Sequence, residues 1–168
     1  MLDHFGVKVG SHIKSDGSHE VNIESPQLLK GCSVDVPSDP SSAAFPTVAA
    51  LLIKDSHLKL EKVCVNTCRI GLYETLIEMG ANIKFINERL SGGEKVADIE
   101  VTYNGALTGV TVPEHRVPSM IDEFPILAIA ASCANGKTTM NGLSELRVKE
   151  SDRLKLIAER LKLCRVDL

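Results

Sequence analysis

The sequence predicts an α/β protein built from β-α-β-α-β-β units, and three observations carry that expectation. Short stretches of alternating apolar and polar residues are interleaved with stretches of helical period. Their order recurs after about 76 to 82 residues: "SVDVP" returns as "GVTVP", "AAFPTVAALLIKD" as "DEFPILAIAASCA", and "TCRIGLYETLIEM" as "ESDRLKLIAERLK". The composition, 43% hydrophobic and 24% charged with no tryptophan, is that of a globular chain and not of a disordered or fibrous one. The recurrence is far longer than a solenoid repeat, so it marks a duplicated unit.

The elements follow in order. "VKVGSHIKSDGSHEVNIE" alternates around Ser-Asp-Gly and predicts a β-hairpin. "CSVDV" predicts a strand and "PSDP" a turn, followed by a helix over 41–53 with serines available as N-caps. That helix is nearly all apolar and should be buried. Residues 57–65 alternate as a strand, and 67–80 form an amphipathic helix closed by Gly80. "NIKFI" and "VADIEVTY" read as strands separated by the polar loop "NERLSGGEK". In the second copy "GVTVP" and "KTTMNGL" are the strands, and the helices are "DEFPILAIAASCA" and a segment opening near Lys149. In this last helix Leu154, Ile157, Ala158 and Leu161 form the inward face. The second copy stops before its two final strands, so the sequence reads as truncated, with unpaired edges.

Several functional classes are excluded at this level. A net charge of -3, with no basic stripe, gives no footprint for nucleic acid. No apolar run approaches the roughly 18 residues of a membrane span, and the N-terminus lacks a signal-peptide layout, so a cytoplasmic location without membrane contact is expected. The five cysteines are scattered and read as reduced thiols. Cys64 and Cys68 lack further ligands nearby, so neither a metal nor a cofactor is expected. No histidine has a serine or cysteine arrangement suggesting a triad, and His115 and Arg116 read as part of an exposed loop.

The chemistry concentrates in "LRVKESDR", residues 146–153. Lys149 and Arg153 at a helix start, beside free N–H groups, would suit a phosphate or carboxylate. Glu150 among those cations could move a proton if substrate excluded water. The same residues also suit an ordinary surface helix start with local ion pairs. Asp122 precedes an apolar helix, where it is either an N-cap or a carboxylate able to accept a hydroxyl proton. "PSDPSSAAF" could offer amides to phosphate but has no Walker glycines or lysine, and reads as a turn plus cap.

"VPSDPSSAAFPTVAALL", "GLYETLIEMGANI", "GVTVPEHRVPSMIDEFPILAIAAS" and "ELRVKESDRLKLIAERLK" together resemble the 5-enolpyruvylshikimate-3-phosphate synthases, also called 3-phosphoshikimate 1-carboxyvinyltransferases. "PSMIDE" is most similar to the bacterial class that includes glyphosate-tolerant members. The resemblance implies part of an inside-out α/β barrel, with substrates bound between two domains. It implies that 1–36 are the tail of one domain and 37–168 nearly two of the three units of the other. The reaction implied is a step of the shikimate pathway toward chorismate and aromatic amino acids. It transfers the enolpyruvyl group of phosphoenolpyruvate to the 5-hydroxyl of shikimate-3-phosphate with release of phosphate, without a metal. Carried over by position, Asp122 would face that hydroxyl as a base and Lys149 would lie near it. Glu150 would pass the proton at the methylene, and Arg153 would hold phosphoenolpyruvate.

Ser38 stands where the family usually has glycine, and Thr67-Cys68 replace a Pro-Thr pair before Arg69. The family's lysine-bearing N-terminal motif, its glycine-rich and serine-glutamine loops and its C-terminal His-Arg and lysine motifs have no counterpart. A fragment inactive alone is therefore expected. The alternatives are a non-catalytic remnant of a decayed gene and a subunit completed by another chain.

Overall fold

The computed structural model describes residues 2–167. Val9–Ile13 (β1) and His19–Ile23 (β2) form the expected antiparallel hairpin. Its turn is set by Asp16, whose carboxylate accepts the Ser18 N–H at 2.9 Å, and by Gly17 at φ 82°. Neither strand has a buried residue.

The first unit contains Pro40–Leu52 (α1), His57–Cys64 (β3), Gly71–Glu78 (α2), Asn82–Ser91 (β4) and Glu94–Thr102 (β5). Asp39, and not a serine, caps α1: its carboxylate accepts the N–H groups of Ser41 and Ser42. An anionic cap at N-cap satisfies two orphan donors and complements the helix dipole. Ala44, Thr47, Val48 and Leu51 are buried from α1, whereas Phe45 points outward. Helix α2 starts later than its periodicity suggests. Residues 66–69 are a turn in which Asn66 accepts the N–H of Cys68 through its side chain and of Arg69 through its carbonyl. Thr67-Cys68 thus sit in a turn that tolerates them. Ser38 is similarly accommodated, exchanging backbone hydrogen bonds with Lys62 and Cys64.

The sheet order is β3-β5-β4, antiparallel throughout. The strand expected over 32–36 does not form, and only an isolated parallel bridge joins Ser38 to Val63. The expected polar loop after Ile86 is largely strand: Arg89, Leu90 and Ser91 pair with Val96, Lys95 and Glu94, and only Gly92-Gly93 turn. Glu88, Arg89 and Leu90 are exposed, so no buried face imposed an apolar alternation there.

Asp98, in the middle strand β5, organises an irregularity in both neighbours. The register slips between Leu60 and Val63 on one side and between Ile86 and Arg89 on the other. Lys62 and Asn87 take left-handed conformations, φ 56° and 53°. The Asp98 carboxylate accepts the Lys62 N–H and the Asn87 side-chain amide, both at 3.0 Å, and pairs with Lys59 and Arg89. These donors, the Asn87 amide foremost, hold its carboxyl far below the usual range. A carboxyl with a lower pKa folded than unfolded stabilises above its unfolded value near 4 and loses that contribution as pH falls through its folded value. Asp98→Asn should lower the melting temperature at pH 7 and narrow its difference from the parent chain below about pH 4. A mutant-to-parent gap that is constant from pH 7 to pH 2 in thermal melts would contradict this account.

The second unit is Thr111–Val112 (β6), Phe124–Ser132 (α3), Thr139–Met140 (β7) and Arg153–Leu163 (α4), with β6 parallel to β7. The two units share one core, in which Leu72, Tyr73 and Leu76 of α2 meet Met120, Phe124 and Leu127 from the second copy. The Tyr73 hydroxyl donates to the Pro40 carbonyl at 2.8 Å, tying α2 to the start of α1. Helix α4 begins at Arg153 with Asp152 as N-cap, four residues later than expected. The short polar run Lys149–Asp152 competes locally with the helix through such side-chain bonds. Of the expected inward face Leu161 is buried, while Leu154, Ile157 and Ala158 are half-buried.

Candidate active site

The strap between β6 and α3 consists of two short 3-10 turns, Glu114–Ser119 and Ile121–Glu123, which deliver Asp122. Val117, Met120 and Phe124 bury their side chains along it. Asp122 between them faces outward and caps nothing, so its N-cap reading does not hold. On the other side, the turn Ser144–Arg147 anchors Leu146 in the core, and the loop that follows it carries Lys149 and Glu150.

The two segments meet at Arg153. Its Nε and Nη2 donate to the two oxygens of Glu150 at 2.8 and 2.9 Å, and its Nη1 donates to Asp122 Oδ1 at 2.8 Å. The fork geometry suits a planar guanidinium. Lys149 stands aside, paired with Glu145 at 2.8 Å. Three of the four residues singled out in the sequence are therefore in direct contact, 31 positions apart along the chain in the case of Asp122 and Arg153. The Arg153 bonds and the fixed charges hold the Glu150 carboxyl below its ordinary range. Glu145 raises Lys149, and Glu150 with Asp122 raises Arg153.

Sequence reasoning missed three neighbours. Glu123 is 5% exposed, and its burial first, then the charge of Asp122, push its carboxyl upward. Arg69 donates to both Asp39 and Ser41, at 3.0 and 2.9 Å. Those bonds and the Asp39 cap occupy the start of α1, in keeping with the turn-plus-cap reading of "PSDPSSAAF". Arg116 is not on an exposed loop. Its side chain is 13% exposed and forks onto Glu78 at 2.7 and 2.5 Å. Nothing in periodicity flags these residues, because each is defined by a partner distant in sequence.

Comparison with known proteins agrees with this architecture. The chain is 52% identical over 167 residues to 3-phosphoshikimate 1-carboxyvinyltransferase of Bartonella henselae, covering 99% of the chain and 38% of that relative. It is 52% identical over 168 residues to that of Rhodospirillum rubrum, covering 100% and 37%. A solved EPSP synthase from Acinetobacter baumannii superposes with a TM-score of 0.85 at 44% identity, over 96% of this chain and 35% of that one. These relatives are carboxyvinyl-transferring enzymes, and the solved one shares this fold. The chain belongs to the EPSP synthase (3-phosphoshikimate 1-carboxyvinyltransferase) family, whose sequence model matches residues 1–168. It spans little more than a third of the length of these curated relatives.

Proposed function

We propose that this chain carries one side of a carboxyvinyl-transfer site that acts on shikimate-3-phosphate and phosphoenolpyruvate. The supporting observation is the Arg153 guanidinium gathering Glu150 and Asp122 within 2.9 Å. Asp122 takes the proton of the 5-hydroxyl as that oxygen bonds to C2 of phosphoenolpyruvate, and Glu150 protonates the methylene carbon. The tetrahedral adduct then returns a methyl proton to Glu150. The C2–O bond to phosphate breaks, the double bond reforms, and inorganic phosphate leaves with the proton from Asp122. Lys149 stabilises charge at the reacting oxygens.

With Arg153 holding it, Glu150 is a poor acid. An anionic substrate that displaces it from the guanidinium removes the main cause of its lowered pKa, so binding itself readies the proton donor.

By the same reading, residues 1–36 are the tail of one domain and 37–168 belong to the other. The hairpin forms its own two-stranded sheet, and the shared core begins at Ala43. Outward apolar residues such as Leu28, Phe45 and Leu163 favour cover by further polypeptide, in one chain or from a partner. None of the described helices is long and apolar enough to cross a membrane. A cytoplasmic setting is part of the same reading, and its support is the five free thiols, which suit a reducing compartment.

The test is phosphate release from the two substrates, by the 168-residue chain alone and after residues 1–168 replace the matching segment of a full-length relative. No turnover alone and turnover in the graft is the expected pair of results. A folded but inactive graft would reject the reading.

A further inference from the structure

Asp122 is exposed on a strap of 3-10 turns, which have poorer hydrogen-bond geometry than an α-helix. Something outside the strap must therefore fix where its carboxylate stands. Two kinds of contact with α2 are available. The first is apolar: Val117 and Met120 are 6% and 1% exposed and lie in one core cluster with Leu72 and Leu76 of α2. The approach is close enough that a Cβ on Gly71 would collide with Ser119 Oγ and lie 3.2 Å from Met120 Cβ. Apolar burial holds the strap down but is non-directional, so it sets depth better than rotation.

The second contact is directional. Arg116 Nη1 donates to Glu78 at 2.7 Å and to Thr75 Oγ1 at 3.1 Å, Nη2 donates to Glu78 at 2.5 Å, and Nε lies 3.5 Å from Glu74. A planar fork with its donors on one helix face fixes orientation as well as distance. The Arg116 carbonyl also accepts the Ser119 hydroxyl at 2.8 Å, which stiffens the strap toward Asp122.

We propose that Arg116 is a positioning residue: its fork on α2 sets the rotation of the strap and so brings Asp122 to Arg153. Its importance for catalysis rests on the site proposed above, but the geometric claim does not. Arg116 touches neither Asp122 nor Arg153 and acts only through the strap.

The test uses the full 168-residue chain, with guanidinium proton exchange at Arg153 and the carboxyl shift of Asp122 read by NMR. Arg116→Met, which keeps the buried stem, should leave the circular dichroism native. It should speed exchange of the Arg153 side-chain protons about tenfold. Arg116→Lys, with a point charge in place of the fork, should rescue only part of the effect. Val117→Ala loosens the same strap by its apolar anchor and should change Arg153 exchange little. Unchanged exchange in folded Arg116→Met, or an equal change in Val117→Ala, would overturn the proposal. Should Arg116→Met fail to fold, exchange in Arg116→Lys equal to that of the parent overturns it instead. In the graft, Arg116→Lys should lower kcat more than it raises KM. If Arg153 exchange responds as expected while Asp122→Asn leaves graft turnover intact, the positioning stands and the site assignment fails.

Discussion

In the full-length graft, Glu150→Gln should lower kcat by roughly 10²- to 10⁴-fold with a far smaller change in KM, the range expected when a positioned proton-transfer group is lost. Glutamine keeps the size of the side chain and one acceptor for Arg153, so the guanidinium can stay where its bonds to Glu150 and Asp122 now hold it. What disappears is the exchangeable carboxyl proton. Both halves of the proposed reaction use that proton, once in addition and once in elimination, so neither step can bypass the loss. The measurement is steady-state phosphate release together with a thermal melt to show that the graft is folded. A kcat within threefold of the parent value would remove Glu150 from the mechanism. It would leave Asp122 and Lys149 as the groups to test.

Phe124→Ala should be the most destabilising of the substitutions considered, at about 3–5 kcal/mol. Phe124 is 1% exposed and lies in the core shared by the two units, where the strap passes into α3. Removing the ring leaves a void bordered by elements from both copies, which cannot collapse onto it without moving the α1–α3 contact. With a total stability of roughly 5–15 kcal/mol for a domain, this is a large share. A urea titration should show the midpoint falling by roughly 1.5–3 M with little change in slope. Phe45→Ala is the matched comparison, because that ring is 57% exposed on the outer side of α1. It should change stability by no more than about 0.5 kcal/mol. Similar costs at the two sites would mean that the core is not where the structure puts it.

Much of this architecture could be read from the residues. The two copies, the hairpin at Ser15-Asp16-Gly17 and every named helix were legible, since each carries a periodic face or a turn residue with a required conformation. Most of what escaped was non-local. The continuation of β4 through Arg89–Ser91 has no apolar alternation, because it owes its pairing to β5 and not to a buried face. Helix α4 starts at Arg153 because Asp152 caps there, and Lys149 and Glu150 were freed from the helix by that choice. At the site, family wording pointed to Asp122, Lys149, Glu150 and Arg153, whereas the fork on Arg153 required knowing which turns face each other. Glu123 and Arg116 had no signal at all: one is set apart by burial, the other by a partner on α2.

The paired irregularities around Asp98 also bear on how the chain behaves in company. β3 and β4 are the two outer strands of their sheet, and each is interrupted by a left-handed residue, Lys62 and Asn87. An open strand edge invites another chain to dock in register, the first step toward aggregates. A kink in each outer strand, flanked by Lys59, Glu61 and Arg89, interrupts the run of N–H and C=O groups that such docking needs, and on β3 Ser38 already occupies the Lys62 carbonyl and the Cys64 N–H. One buried carboxylate in the middle strand thus helps keep both margins of the sheet unsociable, a protection that matters most when apolar residues such as Leu28, Phe45 and Leu163 lie open elsewhere.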